Sequence, residues 1–140
     1  FFVDLLTTAL QPGEILTQIV IPTPPARSGG AYVKMHQSAS GFAIAGVAAQ
    51  VTLDDTGACA SVAVGITGVS PVPYRAGAVE DALQGQAPGE AAIQAASEHA
   101  TDGLDPNDLQ SDHHASGDYR AHLAKVFTRR ALTEAVARAA

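Results

Sequence analysis

A chain of 140 residues is long enough for one domain with a real core and too short for two large ones. At 46% apolar and 16% charged it reads as globular and not as disordered. The net charge of −6, with no basic stripe among aromatics, excludes nucleic acid as an expected partner, and no apolar run is long enough to predict membrane insertion.

The opening Phe1-Phe2-Val3-Asp4, with no initiator Met, is expected to be an internal stretch of a longer protein. Glu14 to Pro22 alternates polar and apolar around Ile15, Thr17, Ile19 and Ile21, which predicts a strand that Pro22 ends. Thr23 to Gly30 is rich in Pro and Gly and marks the best boundary for a linker. Three further strands are predicted over Ala31–Gln37, Ile44–Leu53 and Cys59–Val69, the last two joined by the turn Asp54-Asp55-Thr56-Gly57. Together they fit an antiparallel meander.

After Pro71 and Pro73 the period changes to that of helices. Ala76–Leu83 reads as a short helix closed by Gly85, and Pro88–His99 as a second with Ala92, Ile93 and Ala96 inward. Ser116 is placed to cap a long final helix carrying Tyr119, Leu123, Val126, Phe127, Leu132 and Val136. Strands first and helices after predict an α+β fold, with about three helices on one face of a small sheet of about three antiparallel strands.

Familiar catalytic devices are absent. There is no Walker loop, no dinucleotide fingerprint and no CxxC, and Gly65-Ile66-Thr67-Gly68 falls on a strand, where small residues serve packing better than phosphate binding. Asp112-His113-His114, with His122, invites a metal site, yet no two histidines share a helical face at i, i+4 with a third ligand, so no metal is expected. The lone Cys59 sits among small apolar residues, which predicts a buried, inert thiol and accords with a reducing compartment. Ser38, Ser40 and Ser70 lack a nucleophile elbow. On these grounds the chain has no catalytic constellation of its own.

Several passages carry more than composition does. Thr8-Ala9-Leu10-Gln11-Pro12-Gly13-Glu14-Ile15-Leu16, running on to Ile19-Val20-Ile21-Pro22, is the first. Ala31-Tyr32-Val33-Lys34 follows, with Ser40-Gly41-Phe42-Ala43 and Gly46-Val47-Ala48. Gly68-Val69-Ser70-Pro71-Val72-Pro73 with Arg75 comes next, and then Ala115-Ser116-Gly117-Asp118-Tyr119-Arg120 with Leu123 and Arg129-Arg130-Ala131-Leu132. In this order they resemble the C-terminal part of the FAD-carrying medium subunit of molybdenum hydroxylases, the carbon monoxide dehydrogenase and xanthine dehydrogenase family. No single passage is specific, whereas the ordered set covers nearly the whole chain.

The resemblance implies that residues 1–27 are the tail of an FAD-binding domain with its linker, and that residues 28–140 form the flavoprotein C-terminal domain. It implies FAD in the full-length subunit, although the glycine-rich loops that hold most of that cofactor are not in this sequence. It also implies partner subunits, a molybdenum-binding large subunit with the molybdenum cofactor and an iron–sulfur small subunit with 2Fe-2S clusters, in a cytoplasmic, bacterial oxidoreductase. A genome rich in GC fits the six arginines against two lysines. By position, Leu16 and Lys34 match places where relatives touch the flavin. Lys34 read alone is an exposed strand lysine, and Leu16 a core residue. Gly41 stands where the family often has Asp, so any hydrogen bond of that acid is lost here. The competing reading is a non-catalytic interaction module that docks partner subunits without a cofactor.

Overall fold

The computed structural model describes residues 1–140. Its centre is an antiparallel meander of four strands in sequence order: β3 (Ser28–His36), β4 (Ala43–Leu53), β5 (Cys59–Thr67) and the two-residue β6 (Tyr74–Arg75). Before it, β1 (Phe2–Asp4) and β2 (Thr7–Thr8) pair only with each other. Three helices follow, α1 (Gly77–Leu83), α2 (Glu90–Ser97) and α3 (Gly117–Ala139), with single 3₁₀ turns at Glu98–Thr101 and Pro106–Asp108. The α+β reading holds, with one short extra strand in the sheet.

Alternation decides which face is covered. Val47, Ala49, Val51 and Leu53 of β4 are buried, as are Val62, Val64 and Ile66 of β5, and the register sets Val47 against Ile66 and Ala49 against Val64. Each valine, leucine or isoleucine among them contributes roughly 1.5–3 kcal/mol on full burial. Tyr32, Lys34, His36, Ala48 and Gln50 point to the other, open face. On the covered side α3 crosses β3 and β4, while α1 packs on β5. The buried positions of α3 include Arg120, Leu123, Ala124, Phe127, Thr128, Ala131, Leu132 and Ala135, a three-and-four spacing in which small alanines alternate with larger side chains. At Gly29 a Cβ would lie 2.1 Å from the Ala135 carbonyl oxygen, so only glycine lets β3 start against the end of α3.

Three local devices close this layer. The Ser116 Oγ accepts the Tyr119 N–H at 3.2 Å and caps α3 as its position predicts. The Tyr74 hydroxyl donates to the Ala100 carbonyl at 3.0 Å, tying β6 to the turn after α2. Arg138 donates to the Gly30 carbonyl and pairs with Glu134, covering part of the β3 edge that has no neighbouring strand.

One predicted element is corrected. Glu14 to Pro22 is not a strand: it has no ladder partner, and its residues are exposed throughout. Strands need a neighbour for their backbone N–H and C=O groups, and nothing in the chain supplies one. The sheet also begins at Ser28, so the Pro/Gly-rich stretch is shorter than predicted, and the second helix ends at Ser97 in a 3₁₀ turn.

Candidate functional site

Lys34 and Leu16 stand in unlike surroundings. Lys34 projects from β3 and makes one hydrogen bond, donating from Nζ to the Gly41 carbonyl at 3.0 Å. That carbonyl belongs to the β3–β4 loop, which is tightly self-bonded. The Gln37 N–H donates to the Phe42 carbonyl, the Gly41 N–H to the Gln37 carbonyl, and the Ser40 N–H to Gln37 Oε1. Lys34 has no carboxylate partner. Leu16 is 54% exposed on the unpaired segment, outside the hydrophobic core, so the expectation of a core leucine is corrected for this chain. No hydrogen bond joins the two.

Lys34 lines a groove of about 580 Å³ between β3 and α3. Val33, Met35, Leu123 and Phe127 are among its apolar lining residues, and Lys34, His36, His122 and Arg130 also border it, the Lys34 and His36 side chains pointing to the opposite, open face of the sheet. No Asp or Glu lines it, in a chain whose net charge is −6.

Two of the three perturbed carboxylates, Asp112 and Glu80, are part-buried or paired with arginine and lie elsewhere; the third, Asp54, is held down by hydrogen bonds from its own turn, first the Thr56 hydroxyl and then the Ala58 N–H. The His114 N–H, opposed by partial burial and reinforced by the Ala115 N–H and the Arg120 guanidinium, holds Asp112 down to about 2. Burial would raise Glu80, but the paired Arg75 N–H donors at 2.7 Å and the Val64 N–H at 2.8 Å outweigh it and bring it below its ordinary value. Neither needs a catalytic explanation. Cys59 is fully buried, and burial followed by the Asp54 charge pushes its thiol up, away from nucleophilic character. His113 and His114 have ring centroids 3.7 Å apart, and no group of three His, Cys, Asp or Glu side chains is disposed to hold a metal.

The arrangement around Arg120 is one that sequence reasoning did not find. Arg120 is 4% exposed, and its Nη1 donates to the carbonyls of Ile44 (2.5 Å) and Gly68 (2.9 Å) while Nη2 donates to Asp112 Oδ2 (2.7 Å). The signal was present: Arg120 falls on the same helical stripe as Leu123 and Phe127, where an arginine must find internal acceptors.

A small antiparallel meander with helices on one face and a basic groove beside its edge strand is the setting in which the family can be stated. The family model of the CO dehydrogenase flavoprotein C-terminal domain matches residues 30–135, and the chain belongs to that family. The chain is 36% identical over 132 residues to the carbon monoxide dehydrogenase medium chain of Afipia carboxidovorans, covering 94% of itself and 44% of that protein. It is 30% identical over 137 residues to the 6-hydroxypseudooxynicotine dehydrogenase complex subunit alpha of Paenarthrobacter nicotinovorans, covering 98% and 45%. Among solved structures it superposes with a TM-score of 0.90 on carbon monoxide dehydrogenase from Hydrogenophaga pseudoflava in a form lacking the Mo-pyranopterin moiety, at 32% identity over 100% of this chain and 47% of that one. The chain thus spans about half the length of the relatives it matches.

Proposed function

We propose that this chain is the C-terminal part of the FAD-carrying medium subunit of a molybdenum hydroxylase, where it walls one side of the flavin site and offers surface to partner subunits. The observation that carries the proposal is Lys34: an exposed ammonium held by one loop carbonyl, without a carboxylate partner, on a strand that borders a groove no Asp or Glu lines. The family match over residues 30–135 supports the same reading over that of an interaction module without a cofactor. When bound, FAD supplies the acceptance and onward transfer of electrons. Lys34 contributes positive charge toward that anionic cofactor. Leu16 contributes an apolar contact from the segment that finds no packing within the chain.

In this reading residues 1–27 belong to the FAD-binding domain and residues 28–140 form the C-terminal domain. The exposed Ile15, Ile19, Val20 and Ile21 are then covered by the rest of the flavoprotein. The molybdenum cofactor and 2Fe-2S clusters reside on a large and a small partner subunit, in a cytoplasmic oxidoreductase complex. No helix is long and apolar enough to cross a membrane.

The test is the absorption spectrum of the full-length protein that contains this chain, which should show flavin bands. The isolated chain, titrated by flavin fluorescence quenching, should show no saturation at micromolar FAD. One exposed lysine contributes ~1 kcal/mol, against roughly 8 kcal/mol for micromolar binding. A full-length protein purified without flavin and unable to take it up would favour the interaction module instead.

A further inference from the structure

The β3–β4 loop that receives Lys34 is anchored at its far root by the Arg120 guanidinium. Only Phe42 and Ala43 separate Gly41, whose carbonyl accepts from Lys34, from Ile44, whose carbonyl accepts from Arg120. The second carbonyl on Arg120 is that of Gly68, just past β5, where the backbone presses so close that a Cβ would lie 2.7 Å from the Ile44 oxygen. The third partner, Asp112, is itself set by the N–H groups of His114 (2.8 Å) and Ala115 (3.0 Å), immediately before the α3 cap. Four separate stretches of chain therefore meet at one side chain: the start of β4, the end of β5, the approach to α3, and α3 itself.

A buried guanidinium is a costly way to fill space. An apolar residue on the Leu123–Phe127 stripe would pack without taking a charge out of water. What the arginine adds is direction, because its planar fork bonds chosen carbonyls at fixed angles where an apolar side chain would only exclude water. The carbonyl chosen on β4 is the one at the root of the loop that orients Lys34.

We infer that Arg120 and Asp112 are positioning residues for Lys34: their ion pair fixes the root of the β3–β4 loop and so holds the Gly41 carbonyl that aims the ammonium at the flavin. The inference rests on the proposal that Lys34 faces FAD. It predicts that loosening the clasp acts on the flavin through Lys34 and not through the stability of the domain.

The test is a double-mutant cycle in the full-length flavoprotein, read by flavin retention on dialysis and by the flavin midpoint potential, with thermal melting as a separate readout. Asp112→Asn is the first variant: the side chain is 43% exposed, and Asn keeps an acceptor for the His114 and Ala115 N–H groups while losing the charge toward Arg120. Arg120→Lys is the second, keeping the charge and losing the fork. Each should lower flavin retention and move the potential in the direction that Lys34→Gln moves it, by less, and should move neither further when Lys34→Gln is already present. A lower melting temperature is expected of Asp112→Asn in either background; equal flavin shifts with and without Lys34→Gln would reduce the clasp to scaffolding and overturn the inference. A shift from Lys34→Gln with none from Asp112→Asn or Arg120→Lys would overturn it too, leaving the flavin-facing role of Lys34 intact. No shift from Lys34→Gln itself would remove that role, and the inference with it.

Discussion

Residues 1–27 and 28–140 are both rich in strand-forming apolar residues, yet only the second region has a core. Ile66 and Val64 on β5 are 1% and 0% exposed, whereas Ile15, Ile19 and Ile21 are 80%, 74% and 83% exposed. Hydropathy does not separate the two sets. What separates them is a neighbour: β5 lies between β4 and β6 with helices across one face, while the Ile15–Ile21 stretch has no ladder and no layer. Alternation is therefore a conditional instruction, and it becomes a strand only where backbone groups find partners. In relatives of about twice this length, the remaining half is available to supply them.

The contrast sets the largest expected effect. Leu132 is fully buried in α3, so Leu132→Ala should lower unfolding free energy by about 2–5 kcal/mol through lost burial and the cavity left behind. Urea denaturation of the isolated chain measures it, and a loss under about 1 kcal/mol would mean that the 28–140 region is less tightly packed than its burial indicates. Next in size, Ser116→Ala removes the hydroxyl that accepts the Tyr119 N–H and should cost about 0.5–2 kcal/mol. An unchanged melting curve would leave α3 held by its packed face alone.

Most of the 28–140 fold was legible because its signals are local. The turn at Asp54–Gly57, the two apolar alternations beside it and the Ser116 cap each act within a few residues, and each is found in place. The missed features depend on distance along the chain. Arg120 reaches Ile44 and Gly68, 76 and 52 residues away, and nothing near Arg120 names those carbonyls. The strand expected at Glu14–Pro22 failed for the complementary reason: its local pattern is sound, and no other segment of the chain pairs with it. Lys34 was legible as an exposed strand residue from its position alone. Its proposed role came from the ordered passages around it, since no spacing rule points from a lone lysine to a flavin.

The third effect depends on pH. Asp112 sits at about 2 in the folded chain against an ordinary 3.8, so the folded state favours its charged form. That stabilisation is present above about pH 4 and is lost as pH falls toward 2, because protons then bind the unfolded chain first and pull it from the folded state. The melting temperature of the wild type should exceed that of Asp112→Asn at neutral pH, and the gap should close between about pH 4 and pH 2. A gap that stays constant through that window would assign the difference to hydrogen-bond geometry and not to charge.

The smallest effect is the one that bears most directly on the two regions. In the isolated chain Ile19 already meets solvent, so Ile19→Ala removes little buried surface and should change unfolding free energy by less than about 0.5 kcal/mol. In the full-length protein the same substitution should cost about 2–5 kcal/mol if the segment is a strand buried by the remainder of the flavoprotein. The pair of measurements separates two explanations of the exposed segment that a single one would confuse. A segment that is only a tether gives a small effect in both proteins. A loss above about 1 kcal/mol in the isolated chain would mean that the segment already packs on residues 28–140, and the division between the regions would have to be redrawn. A small effect in isolation with a large one at full length would instead show that Glu14–Pro22 is a strand whose ladder lies in the half of the protein to which this chain attaches.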